Sequence, residues 1–163
     1  MKLLEGYVKN KTKEAALAAL LMTLTIVSRN YRIVVVPGLF SFDISNAFHF
    51  AAASMLAWGY TVVLSLGTLY FATNLISPVA FFVAAQVIFF LSKIVGRKRA
   101  QYTGIFGEIF GFLAYGVMLH AAGMMDFRFF ILTLTVPDLF YVPAAILGPI
   151  VIWRISRRLG IVE

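Results

Sequence analysis

The chain has 163 residues, of which 61% are hydrophobic and 13% charged, with a formal net charge of +7. Charged residues make up about a quarter of an ordinary soluble domain, so this balance excludes one. The absence of cysteine excludes disulfides, thiolate metal sites and a cysteine nucleophile. The positive charge is no sign of nucleic acid, because the basic residues cluster between apolar stretches, where orienting a chain in a membrane is the simpler use.

The basic opening Lys9-Asn-Lys-Thr-Lys13 leads into Glu14-Ala-Ala-Leu-Ala-Ala-Leu-Leu-Met22, the start of an apolar span expected over 14–28. Lysines ahead of an apolar run also suggest a signal peptide. Yet Lys2 to Lys13 is long for such a basic region, and no small-x-small site with a polar continuation follows Ser28, so this helix is expected to be retained. The loop Val36-Pro-Gly-Leu-Phe-Ser-Phe-Asp43 comes next. The 49 residues from 44 to 92 then carry no formal charge, whereas one spanning helix needs roughly 20 apolar residues. Trp58-Gly59-Tyr60 and Asn74-Leu-Ile-Ser-Pro78 punctuate this run and predict spans at 44–57, 60–74 and 78–93. After the basic Gly96-Arg-Lys-Arg99, further spans are expected at 102–122 and 129–153. The stretches are continuous rather than alternating, which points to helices and not to an outer-membrane barrel.

Parity tests the count. With six spans both termini share a side, which receives 11 of the lysines and arginines and leaves 3 (Arg29, Arg32 and Arg128) opposite; five spans give at best 9 to 5. The positive-inside rule prefers six. The expected fold is an all-α integral membrane protein of the cell membrane, one compact domain of six transmembrane helices with both termini cytoplasmic. Three helices within residues 44–92 average about 16 residues each, short for a bilayer of about 20 residues. Short spans survive where protein surrounds their ends, which hints at a cavity.

Motifs narrow the function. No G-x-x-x-x-G-K-[ST] and no H-E-x-x-H occurs, and the two histidines, His49 and His120, are too few for a multi-histidine metal site. No cofactor or metal is expected, nor is an inverted repeat evident between the halves.

Polar groups in an apolar span each ask for a reason. Asp138 lies between Pro137 and Pro143, with Tyr141 one turn on; the prolines free backbone carbonyls around the carboxylate. Ligand contact and internal pairing are both open there. Asn46 and His49, at i and i+3 on the second span, are expected in one outer layer with Gln86 of the fourth. Each reads either as an interhelical hydrogen bond or as a ligand contact. Glu108, within Gly107-x-x-x-Gly111, reads as structural or coupling by its depth. Phe40 and Phe42 read either as a lid over an aromatic ligand or as an interfacial belt. Arg29 and Arg32 read first as headgroup or ion-pair residues.

The length, the six spans, the basic start before Ala15-x-x-x-Ala19, the loop Val36 to Asp43 and the basic Gly-Arg-Lys-Arg99 connection resemble the S component of energy-coupling factor (ECF) transporters. The resemblance covers the whole chain as a pattern, and its most specific element, Ala-x-x-x-Ala, is short. It implies a subunit without enzymatic activity that captures a vitamin or related micronutrient from outside, the loop after the first helix helping to cover the pocket. Docking to a transmembrane T component and two ATPase subunits would use Ala15, Ala19 and the adjoining Ala18. Asp138, Tyr141, Gln86, His49, Asn46, Phe40 and Phe42 are then the candidate substrate contacts. Ala15, Ala18, Ala19 and Met22 share one face, and packing inside the bundle explains that stripe as well as docking does. Two rivals remain: a structural membrane subunit resembling the shape-determining MreD family, with no ligand, and an intramembrane enzyme using Asp138, Glu108 or His49.

Overall fold

A computed structural model describes residues 4–31, 33–36, 40–42, 44–68, 76–139 and 141–162. The described residues are helical apart from a short hairpin and the turns: α1 (Lys11–Asn30), β1 (Ile33–Val36), β2 (Phe40–Phe42), α2 (Ser45–Met55), α3 (Trp58–Gly67), α4 (Ile76–Val95), α5 (Gly104–Ala121), α6 (Phe127–Asp138) and α7 (Val142–Arg158).

Local chemistry sets the boundaries. Asn10 caps α1, its Oδ1 accepting from the amides of Thr12 and Lys13 at 2.9 and 3.1 Å, which satisfies two of the orphan donors of the first turn. The buried stripe of α1 runs Glu14, Leu17, Ala18, Leu21, Thr25, Arg29, the spacing of one helical face. Between α2 and α3 the backbone of Leu56 and Ala57 is extended, so the chain reverses within two residues. Gly96, at φ 76°, ends α4 in the left-handed conformation that glycine adopts without penalty.

The ends of the chain meet. Val8 pairs with Val162 in an isolated antiparallel bridge, and Lys13 Nζ donates to Gly160 O at 3.2 Å. Tyr7 reaches two helix ends there: its amide donates to Met55 O at 2.7 Å and its hydroxyl to Ser92 O at 2.6 Å. From this terminal end α1 departs, α2 returns, α3 departs, α4 returns and α5 departs, with α6 and α7 together completing the way back. The expected single last helix over 129–153 is therefore two helices, α6 ending at Asp138 and α7 beginning at Val142, with Pro143 in the first turn of α7, where its missing N–H costs nothing.

α2 is the central element. It packs against α1, α3, α4, α5 and α7, and ten of its eleven residues are buried. Close approach depends on small residues: a methyl on Gly148 of α7 would overlap Ala47 of α2, and one on Gly107 of α5 would overlap the Ile88 side chain of α4. Among the described residues two stretches, Pro78–Val95 and Ala100–Ala121, are helical, long and apolar enough to cross a membrane. α2 and α3 have 11 and 10 residues, about 16 and 15 Å of helix against a hydrocarbon core of about 30 Å.

Candidate functional site: a buried polar layer around α2

Helix α2 carries polar side chains into the middle of the bundle, where each must find a partner or leave its hydrogen-bonding capacity unspent. Asn46 and His49 are 4% and 1% exposed. Asn46 Nδ2 donates to Glu108 Oε2 of α5 at 2.9 Å. On another side of α2, His49 Nε2 lies 3.2 Å from Ser65 Oγ of α3. Ser65 spends its only proton on Thr61 O at 2.8 Å, and Thr68 Oγ1 donates back to Ser65 O at 2.7 Å. With the Ser65 proton so placed, the Nε2–H tautomer of the imidazole donates to Ser65 Oγ and leaves Nδ1 an acceptor. Neither His49 Nδ1 nor Asn46 Oδ1 has a hydrogen-bond partner among the described residues. Both unspent groups are acceptors, and they stand one helical turn apart.

Aromatic and cationic groups complete the layer. The Phe81 ring of α4 lies 5.7 Å from the His49 ring, and the Arg29 guanidinium at the end of α1 sits 4.4 Å from the Phe81 centroid. Arg29 Nη1 also donates to Thr68 O at 3.5 Å. Residues from α1 to α5 thus converge around the start of α2.

The candidate residues of the sequence reading are distributed unevenly. Asn46 and His49 lie one turn apart on α2 and bond to different neighbours, Glu108 of α5 and Ser65 of α3. Gln86 stands apart: its Oε1 accepts from Trp58 Nε1 at 2.7 Å, and Trp58 begins α3 at the terminal end. Tyr141 is half-buried at the junction of α6 and α7, where its carbonyl accepts from the amide of Ala145 at 2.9 Å. Asp138 is the last residue of α6. Phe40 and Phe42 are on β2, paired in register with Val36 and Ile33, on the connection from α1 to α2. The side chains of Asp138, Phe40 and Phe42 lie outside the described residues. The alanine stripe divides, Ala18 being buried in the core while Ala15 and Ala19 are exposed.

Sequence reading missed Ser65, Thr61 and Thr68, although their spacing on an uncharged helix was a signal for an internal polar face. It also missed the task of Glu14. That carboxylate is wholly buried, accepts from the Ala57 amide at 2.8 Å and pairs with Lys11 Nζ at 3.2 Å, clamping the α2–α3 break. An acidic residue opening an alanine-rich helix was the available clue. Outside the spans, burial raises the Tyr7 phenol above its ordinary value, opposed by the hydrogen bond to Ser92 and the charge of Arg97.

A hydrolytic serine–histidine pair needs the serine proton facing the imidazole and a group orienting the second nitrogen. Here the Ser65 proton points to a backbone carbonyl, and His49 Nδ1 has no orienting partner among the described residues. Among the described residues no group of three or more histidines and carboxylates is placed to hold a metal. Comparison with protein-family models, with curated proteins and with solved structures gave no match.

Proposed function

We propose that this chain is the membrane-embedded substrate-capture subunit of an ATP-driven importer of the ECF type, binding a small micronutrient in the layer around α2. The observation that carries the reading is the pair of unspent acceptors, Asn46 Oδ1 and His49 Nδ1, enclosed one turn apart. A buried acceptor without a donor costs about 1–3 kcal/mol, and a ligand presenting two N–H or O–H donors recovers that cost. Phe81 offers a face to the planar part of such a ligand, and Glu108 adds negative character that favours an amino-bearing or cationic one.

The path of the chain supports the membrane part of the reading. Six passes alternate between two ends, and both termini meet at one of them, with the basic Arg97–Arg99 turn and Arg154, Arg157 and Arg158 of α7. Arg29 lies toward the other end, and Arg128 opens α6 after the turn that follows α5. With the terminal end cytoplasmic, that distribution obeys the positive-inside rule. The short helix α2 is accommodated because α1, α3, α4, α5 and α7 surround it. On α1, Ala15 and Ala19 are exposed near the terminal end, a smooth surface suited to close approach by a transmembrane T component coupled to two ATPase subunits.

One observation favours the structural, ligand-free reading: Asn46 and His49 are closed off in this conformation, so a ligand enters only if the elements above α2 move. One experiment separates the two. The chain is purified in detergent, copurifying small molecules are identified by mass spectrometry, and thermal shifts are recorded against vitamins with and without amino groups. A bound ligand raises apparent stability by about 2.7 kcal/mol at a hundredfold excess over Kd. Capture predicts a shift that His49→Phe abolishes. Absence of any ligand, together with no nucleotide-dependent association with an ATPase complex, refutes it.

A further inference from the structure

A second concentration of unspent polar capacity lies at the terminal end, around Tyr7. Lys93, in the last turn of α4, places Nζ 4.0 Å from the Tyr7 ring centroid and 4.9 Å from that of Phe89. These ring faces are its contacts, for Nζ is closed to solvent and has no hydrogen-bond partner among the described residues. Arg97 follows after the left-handed Gly96. Its Nε and Nη2 are likewise closed to solvent and unpartnered, and its charge acts on the same Tyr7 phenol. Nε and Nη2 share one edge of the guanidinium, the fork that matches two oxygens of a phosphate.

Local groups do not supply the missing acceptor. The Tyr7 hydroxyl is committed to Ser92 O, and the Glu14 carboxylate to Lys11 and to the Ala57 amide. Glu5 and Glu14 act on Lys93 through space without forming an ion pair among the described residues. Arg157, 5.1 Å from the Trp153 ring that packs on Tyr7, adds a further cation. Three cationic donor nitrogens of two residues that both act on Tyr7 have no anion bonded to them among the described residues, an arrangement costly to keep unless one is supplied.

We propose that Lys93 and Arg97 form a binding site for the phosphate of an anionic lipid headgroup, held between the Arg97 fork and the Lys93 ammonium. Position decides for a lipid over a free anion. Both residues sit at the end of Pro78–Val95, a stretch long and apolar enough to cross a membrane, and such an end meets the headgroups. Both residues are half-buried as a whole, and a swing of these long side chains would bring their enclosed cationic heads to the interface while the stems stay on apolar surface. The proposal rests on the membrane reading of the chain.

The test uses the full chain in micelles containing equal amounts of phosphatidylglycerol and phosphatidylcholine, with retained lipid counted by native mass spectrometry. A basic residue near an anionic surface is worth about fivefold in affinity, so Lys93→Gln with Arg97→Gln should lower the preference for phosphatidylglycerol about 25-fold, and Arg97→Gln alone about fivefold should the double variant fold poorly. Lys98→Gln with Arg99→Gln, which removes the same charge from two neighbours in the α4–α5 turn, should leave it nearly unchanged. Equal losses in the two double variants would mean diffuse attraction and overturn the site, as would a parent with no lipid preference. Stabilisation by inorganic phosphate equal to that by phosphatidylglycerol overturns the lipid source, and variants that lose a protein partner while keeping the lipid assign the cations elsewhere. The membrane reading fails separately, if the expressed chain fractionates with the aqueous phase without detergent.

Discussion

Replacing Glu14 by alanine removes the acceptor that holds the α2–α3 break. The wild-type carboxylate takes the Ala57 amide at 2.8 Å and Lys11 Nζ at 3.2 Å, and no part of its side chain is exposed. A hydrogen bond to a charged group contributes about 1.5–3 kcal/mol, and leaving the Ala57 N–H orphaned costs about 1–3 kcal/mol more, giving about 2.5–6 kcal/mol in total. At about 2–4 °C per kcal/mol for a chain of this size, Glu14→Ala should lower the melting temperature in detergent by about 5–24 °C. Glu14→Gln keeps an oxygen facing Ala57 and should recover more than half of the loss. Hydrogen exchange locates the damage: the amides of Tyr7 and Trp58, bonded to Met55 O and Leu4 O across the same junction, should exchange faster in Glu14→Ala. A melting temperature for Glu14→Ala within about 2 °C of the parent, or equal damage by the alanine and glutamine variants, refutes the clamp.

Gly107→Leu should force α4 and α5 apart at Ile88 and Ala84 and cost about 1–3 kcal/mol by overpacking, read as a lower melting temperature. Ala18→Trp and Ala19→Trp should diverge although the residues are adjacent. The first, in the core, should destabilise by about 1–3 kcal/mol; the second, exposed, should melt as the parent does while losing association with a membrane partner, measured by pull-down. His49→Phe removes the imidazole, its hydrogen bond to Ser65 and the unspent Nδ1 together, so the melting temperature without ligand should move by less than about 1 kcal/mol equivalent while any ligand-induced shift disappears.

The helical character and the course of the chain are legible in the residue pattern alone. Charges and the Gly and Pro punctuation mark where apolar helices stop, so α1 to α5 fall within a few residues of the expected spans, except that α3 ends at Gly67 rather than near residue 74. The division of 129–153 was not legible. Pro137 and Pro143 announced a disturbance, but whether two prolines kink a helix or break it depends on the neighbours that receive the freed carbonyls.

What the sequence by itself determined, then, is composition along the axis: which segments are apolar and roughly where they end. Only the tertiary structure decided direction around that axis. Gln86 was expected in one layer with Asn46 and His49, yet α4 turns it to Trp58 and presents Phe81 to His49 instead. Ala15, Ala18 and Ala19 are chemically identical, and the packing of α1 against α2 and α3 sends Ala18 inward while leaving the other two outside. The physical reason is that each residue of a helix advances about 100°. A residue's neighbours are therefore fixed by how the helices seat against one another, a relation among segments far apart in the chain that no local pattern encodes.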